Sequence, residues 1–185
     1  MNNEFLEFVK LYENELNIYN KVHNITRLKD IKAAALDSIE ILNFAKIHEI
    51  NSIADIGSGA GFPAIFLAFL NPLKSFYLYE PNYKKAAFLS LIKAKFNLEN
   101  VYVKPIKVEC EKELKVDLIT SRAFAKTSLV VNLCDNLANP NTKFILYKGS
   151  FVKDELDCLN VYKLHEKNKR IFLEFYKKDF KNVTN

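Results

Sequence analysis

Apolar residues recur at mostly helical spacing from residue 5 to residue 19, at Phe5, Leu6, Phe8, Val9, Leu11, Tyr12, Leu16 and Ile18, and a polar stretch follows at 20–24. Spacings of three and four place such residues on one helix face, so the segment predicts an amphipathic helix and then a turn. A second helical stretch starts at about Asp30, whose short carboxylate suits an N-cap, and runs through Ala33, Ala34, Ala35, Leu36, Ile39, Ile41 and Leu42 to Phe44. The pattern then changes. Residues 52–56, 75–79, 101–103, 116–119 and 143–147 are short apolar runs of strand length, separated mostly by segments of helical periodicity. Strands alternating with helices predict a parallel sheet covered on both faces. Near the end, runs at 161–164 and 171–176 flank a polar segment at 166–170, the pattern of a hairpin at the sheet edge.

Five parallel strands and a terminal antiparallel hairpin make a mostly parallel, seven-stranded, Rossmann-like α/β sheet. That is the element count of a class I methyltransferase, whereas flavodoxin-like and dinucleotide folds continue the β-α alternation. Without repeats or a flexible linker, the chain reads as a single domain, 1–185, with an N-terminal helical segment (1–48) and an α/β core (49–185). A composition of 49% hydrophobic and 26% charged residues places it among globular proteins. The longest apolar run, residues 62–70, is half of what a bilayer-spanning helix needs, and the first residues lack the form of a secretory signal, so no membrane association and a cytoplasmic location are expected. Cys110, Cys134 and Cys158 lie far apart with no histidine at ligand spacing, and are expected to be reduced core thiols with no metal. A net charge of +5, spread along the chain, permits an RNA partner without demanding one.

Three of the four glycines crowd into Asp55-Ile-Gly57-Ser-Gly59-Ala-Gly61-Phe62-Pro63, directly after the first strand. Glycine tolerates positive φ and lets a ligand approach the backbone, and Pro63 suits the start of the next helix. The loop therefore predicts a ligand cradle at the carboxyl edge of the sheet. A tight turn without a ligand is the plainer alternative, for which one glycine usually suffices. The dinucleotide fingerprint requires glycine where Phe62 stands, and no Gly-Lys-Ser/Thr follows to make a P-loop. Glu80, at the end of the second strand, is placed to accept both ribose hydroxyls of an adenosine ligand. Glu109 stands where a contact to an adenine amino group is expected, or else is one acid of a solvated run at 109–113, and Val108 is placed to pack on the ring.

These motifs, with Asn20-Lys-Val-His-Asn-Ile-Thr26, Leu36-Asp-Ser38, Lys84-Lys-Ala-Ala-Phe-Leu89, Val108-Glu109, Ser121-Arg-Ala-Phe124 and Lys148-Gly149, resemble the bacterial small-subunit ribosomal RNA guanine-N7 methyltransferases, also called the glucose-inhibited division protein B family. Order and spacing match from about residue 17 to 156. The resemblance implies methyl transfer from S-adenosyl-L-methionine to N7 of guanine 527, in the 530 loop of 16S rRNA, on the 30S subunit or its precursor. By position it implies cofactor contacts at Gly57, Phe62, Val108, Glu109 and Arg122; Gly59, Gly61 and Glu80 complete the pocket by the physical argument. The chain departs from the family where Ala33 and Ala34 replace a frequent Arg-His pair, and where Ala64 and Phe66 replace glycine and proline.

Guanine N7 carries a free lone pair, so no catalytic base is expected; the rate should come from aligning N7 with the methyl–sulfur bond. Arg122, just past the fourth strand, is placed nearest the transfer, with a salt bridge at the strand end as its alternative role. His23, His48 and His165 are expected at the surface or in packing. Lys84, Lys85, Lys93, Lys95, Lys126 and Lys153 are basic residues near the site, and Lys148 is the RNA-binding candidate. A monomer is expected. The competing readings are a methyltransferase with a non-ribosomal substrate, a noncatalytic RNA-binding module and, last, a dinucleotide oxidoreductase.

Overall fold

The computed structural model describes residues 3–167 and 170–181. Helix α1 (Asn3–His23) buries Phe5, Phe8, Val9, Tyr12 and Leu16 on one face, as the periodicity predicts. It outlasts the expected turn at Asn20 because the Asn20 side chain reaches forward, accepting from the Thr26 amide and donating to the Thr26 carbonyl, each at 2.9 Å. The helix ends instead at Asn24, which takes the left-handed conformation common after a last turn. Helix α2 (Ile31–Ile39) is capped by Asp30, whose carboxylate accepts from the Ala33 amide at 2.8 Å. The rest of the expected second helix winds more tightly as a 3₁₀ turn (Glu40–Asn43).

Strands β1 (Ser52–Ile56), β2 (Ser75–Tyr79), β3 (Val101–Lys104), β4 (Leu118–Arg122) and β5 (Lys143–Lys148) are parallel, and β6 (Lys163–Lys167) and β7 (Arg170–Tyr176) form the antiparallel hairpin. Residues 168–169 of the expected hairpin connection lie outside the described residues. The sheet order is β3-β2-β1-β4-β5-β7-β6, with β7 antiparallel to β5. Strand β4 lies later than the apolar run 116–119 suggests, because Ser121 and Arg122 continue the ladder opposite Leu146 and Tyr147. Ladder bonds use main-chain groups, so hydropathy does not register these polar residues. Strand β6 also runs later than 161–164, and its lysine-bearing, exposed surface suits an edge strand.

Helices α3 (Ala64–Leu70) and α4 (Tyr83–Lys95) join α1 and α2 on one face, where Phe8 stacks on Phe69 at 4.1 Å and Phe66 meets Phe5, Phe8 and Tyr12 edge-on. Helix α5 (Thr127–Leu133) and a 3₁₀ segment (Ser150–Cys158) cover the other face, over Ile119, Phe144, Leu146 and Phe175. The N-terminal helices thus belong to the covering layer of the sheet. Connections leave β1 and β4 toward opposite faces, which opens a crevice at their carboxyl ends where open α/β sheets bind ligands.

Candidate functional site

The loop after β1 is shaped by three glycines at positive φ: +69° at Gly57, +57° at Gly59 and +96° at Gly61. The three positions are held for different reasons. A Cβ at Gly57 would fall 2.5 Å from Phe124, and one at Gly61 would fall 2.6 Å from Ile65, so both glycines allow close packing. At Gly59 the nearest neighbour would be the Gly57 carbonyl at 3.8 Å, so conformation, and not crowding, selects glycine there. The Tyr12 hydroxyl donates to the Ala60 carbonyl, which ties α1 to the loop.

Glu80 follows β2 and is buried; its two carboxylate oxygens accept from the amides of Gly59 at 2.8 Å and Asn82 at 2.9 Å. Each oxygen accepts one of these bonds and retains further acceptor capacity. Four cavities meet there among the described residues. The first, of about 180 Å³, is mainly apolar and is lined by Gly57, Pro81, Val108, Glu109 and Phe124. The second, about 360 Å³, lies over Gly57, Gly59 and Phe62 and reaches Lys85 and Arg122. Arg122 also borders a cavity of about 540 Å³ beneath α2, and Phe124 borders one of about 340 Å³ between β4 and β5. Seven of the eight expected cofactor residues line the first two cavities or bond to their floor; the eighth, Gly61, lies under the loop against Ile65.

A family model described as rRNA small subunit methyltransferase G matches residues 6–184. The chain belongs to this family. Ribosomal RNA small subunit methyltransferase G of Campylobacter jejuni is 46% identical over 167 residues, covering 90% of this chain and 88% of that protein. The Campylobacter fetus protein of the same name is 41% identical, covering 92% and 94%. Among solved structures, a methyltransferase from Geobacter sulfurreducens superposes with a TM-score of 0.64 at 10% identity, covering 89% of this chain and 87% of that one. Ribosomal protein L11 methylase from Lactobacillus delbrueckii superposes with a TM-score of 0.55 at 15% identity, covering 76% and 75%. At such identities these structures speak for the fold, which is the Rossmann-like methyltransferase fold.

In this member of the methyltransferase G family, Arg122 is both a strand-end ion pair and a cavity wall. Its Nη1 lies 3.4 Å from Asp37 and donates to the Ala34 carbonyl, while the guanidinium sits over the Phe62 ring with 5.6 Å to the centroid. Arg170 pairs with the same carboxylate, its Nε 3.1 Å from both oxygens. Asp37, quoted in the sequence only as part of a motif, is therefore the joint between two arginines of distant strands.

Lys148 is not presented to solvent as an RNA contact would require. Its ammonium donates to Glu155 at 2.6 Å and to the Ala125 carbonyl at 3.0 Å, with the side chain only 10% exposed. Glu155 also accepts from the amide and hydroxyl of Thr127, so the group closes the start of α5 against the 3₁₀ segment. Glu109 is exposed beside the apolar cavity, and the neighbouring acid Glu111 pairs with Lys104 at 3.1 Å and accepts from the Tyr79 hydroxyl. Lys95 pairs with Glu15 at 2.6 Å. His165 packs on Phe44 and lies 2.7 Å from Glu174, and His23 packs on Tyr19. The three cysteines are free, but only Cys134 is a core thiol; Cys110 is exposed and Cys158 half-buried, because the 3₁₀ segments carrying them lie outside the core.

Sequence reading missed Asp55. Its carboxylate is buried under the glycine loop; Oδ1 accepts from the Thr120 hydroxyl at 2.9 Å, whereas Oδ2 has no partner among the described residues. Burial pushes this carboxyl up to about 7. The available signal was an acid inside an apolar strand two residues before the first glycine of the loop. Among the described residues no group of three or more His, Cys, Asp or Glu side chains is placed to hold a metal, and no helix is long and apolar enough to cross a membrane.

Proposed function

We propose that this protein transfers the methyl group of S-adenosyl-L-methionine to N7 of a guanine in 16S rRNA, guanine 527 in the 530 loop by the family resemblance, on the 30S subunit or its precursor. Relatives named as ribosomal RNA small subunit methyltransferases, matched over about nine-tenths of both chains, support the reaction and the substrate class. The observation that carries the cofactor is the pairing of a buried, partly unused carboxylate at Glu80 with an adjoining apolar cavity at Val108, on the far side of the glycine loop from Arg122.

The residues fit an adenosyl cofactor. Glu80 accepts ribose hydroxyls with the lone pairs that Gly59 and Asn82 leave free. Val108 and Phe124 supply apolar contact for adenine, and Glu109 accepts from its exocyclic amine. Gly57, Gly59 and Phe62 border the space for the methionine end, Gly61 holds the loop's shape from beneath, and Arg122 faces the side from which an acceptor arrives. When bound, the cofactor supplies an electrophilic methyl group on a sulfonium. The chain's task is to hold the N7 lone pair in line with that methyl group and to exclude water; orientation of this kind contributes several kcal/mol, and no proton need be removed first. The same proposal makes the chain one catalytic domain, acting as a monomer in the cytoplasm.

The test is incubation of the purified protein with methyl-labelled S-adenosyl-L-methionine and 30S subunits that lack the modification, followed by mapping of the label. Label on one guanine of the 530 loop is expected. Tight cofactor binding with no label in RNA points to a non-ribosomal acceptor. Salt-sensitive RNA binding without cofactor affinity points to a noncatalytic module.

A further inference from the structure

We infer that the cavity of about 540 Å³ between α2 and Arg122 receives the acceptor guanine, turned out of its RNA stack, and that Arg122 reads its O6. The inference rests on the methyl-transfer reading above. The cavity is continuous with the cofactor space, since Arg122 and Leu28 line both. It is within the range of volumes that small ligands occupy, and enzymes that act on a base draw it into such a pocket and read its edges. Its size here owes much to Ala33 and Ala34, which line it with the shortest of side chains.

The lining matches the two edges of guanine. N7 and O6 are adjacent acceptors on one edge. N7 must stay free for the methyl group, so a donor on this edge has to reach O6 alone. Arg122 stands at the boundary between the two cavities; its Nη1 is engaged by Asp37 and Ala34, while Nε and Nη2 have no hydrogen-bond partner among the described residues. Asp37, held at the same time by Arg170, fixes that guanidinium, and the Phe62 ring supports it from below. Guanine's other edge bears N–H donors. Asp30 and Glu40 line the same cavity, each with one carboxylate oxygen committed, to the Ala33 amide and to the Asn43 side chain, and one available. Adenine presents an amino group where guanine has O6, so it would set donor against donor at Arg122.

Ala33 is exposed on α2 and lines this cavity but neither of the two assigned to the cofactor, so Ala33→Trp fills the acceptor space and meets, of the cofactor residues, only Arg122 at the shared boundary. The expected result is unchanged S-adenosyl-L-methionine affinity by titration calorimetry, with methyl transfer to 30S subunits lowered about 100-fold or more, a loss of the size that misplacement of a reacting group produces. Ala125→Trp, which intrudes on the 340 Å³ cavity on the other side, should retain transfer. A second measurement uses wild-type protein and 30S subunits carrying 6-thioguanosine at the target; long-wave irradiation should crosslink it to α2 or Arg122. Crosslinks confined to residues 124–134 or 149–155, or full transfer by Ala33→Trp, would overturn this assignment alone. Failure of the wild type to label any guanine would overturn the methyl-transfer reading and the assignment with it.

Discussion

The carboxylate of Glu80 accepts a 2.8 Å hydrogen bond from the amide of Gly59, so the acid that follows β2 also fixes the loop that follows β1. With its other oxygen on the Asn82 amide, it joins the loop to the start of α4.

Replacement Glu80→Gln should therefore cost stability as well as affinity. A glutamine has one carbonyl oxygen for two backbone donors, and its NH₂ faces the other donor. A buried donor left unpaired costs about 1–3 kcal/mol. Urea unfolding should report a loss in that range, and S-adenosyl-L-methionine titration a weaker complex; a variant equal to wild type in both would separate Glu80 from the loop and from the cofactor.

The three loop glycines should differ in what they do when replaced by alanine. Gly59→Ala meets only an ordinary contact with the Gly57 carbonyl at 3.8 Å and carries mainly the left-handed backbone penalty, about 1–2 kcal/mol. Gly61→Ala carries the same penalty and drives a Cβ to within 2.6 Å of Ile65, in a packed layer where overfilling adds about 1–3 kcal/mol. Thermal denaturation should rank Gly61→Ala below Gly59→Ala. A larger residue at Gly59, such as valine, should abolish cofactor binding while the domain stays folded, and an unchanged titration would remove this position from the pocket.

Asp55 should make stability fall as pH rises. An unfolded aspartate titrates near 4. In the folded chain burial holds the Asp55 carboxyl up to about 7. Between those values the native state keeps a proton that the unfolded state has released, so stability is lost from about pH 4 to about pH 7 and the loss persists above it. At about 1.4 kcal/mol per pH unit, the effect is bounded near 4 kcal/mol. Asp55→Asn removes it: the stability difference between variant and wild type should shift in the variant's favour from pH 5 to pH 8. A difference independent of pH would show that Asp55 is ionised throughout this range.

Lys148→Met should act on folding and not on RNA affinity. The lysine and Glu155 are both largely buried, and removing one partner of such a pair costs about 3 kcal/mol, because the remaining charge stays desolvated. Were Lys148 a phosphate contact, its loss would instead lower the salt dependence of RNA binding by about one in slope. Denaturation and salt titration of the same variant distinguish the two, and a reduced slope with unchanged stability would return Lys148 to the RNA side.

Much of this was legible in the chain because it depends on local rules. Short apolar runs placed β1 and β2 at their observed bounds, spacings of three and four placed α1, and Asp30 announced its cap by type and position. Three glycines after an apolar strand announced the loop, since left-handed backbone and close packing both exclude larger side chains. Glu80 was legible from its distance beyond that loop. Spacing in sequence does not encode which charges meet across the fold. Lysine at 148 reads as a surface cation until β5 and the 3₁₀ segment bring Glu155 to it, and aspartate at 37 reads as a motif letter until β4 and β7 deliver an arginine each. The run of side-chain polarity hid the end of β4, because its ladder is made by the main chain. The sequence by itself determined the elements, the parallel sheet and the glycine cradle; only the tertiary structure decided which polar groups are buried, and burial turns an ordinary charge into a pair, a cavity wall or a raised pKa.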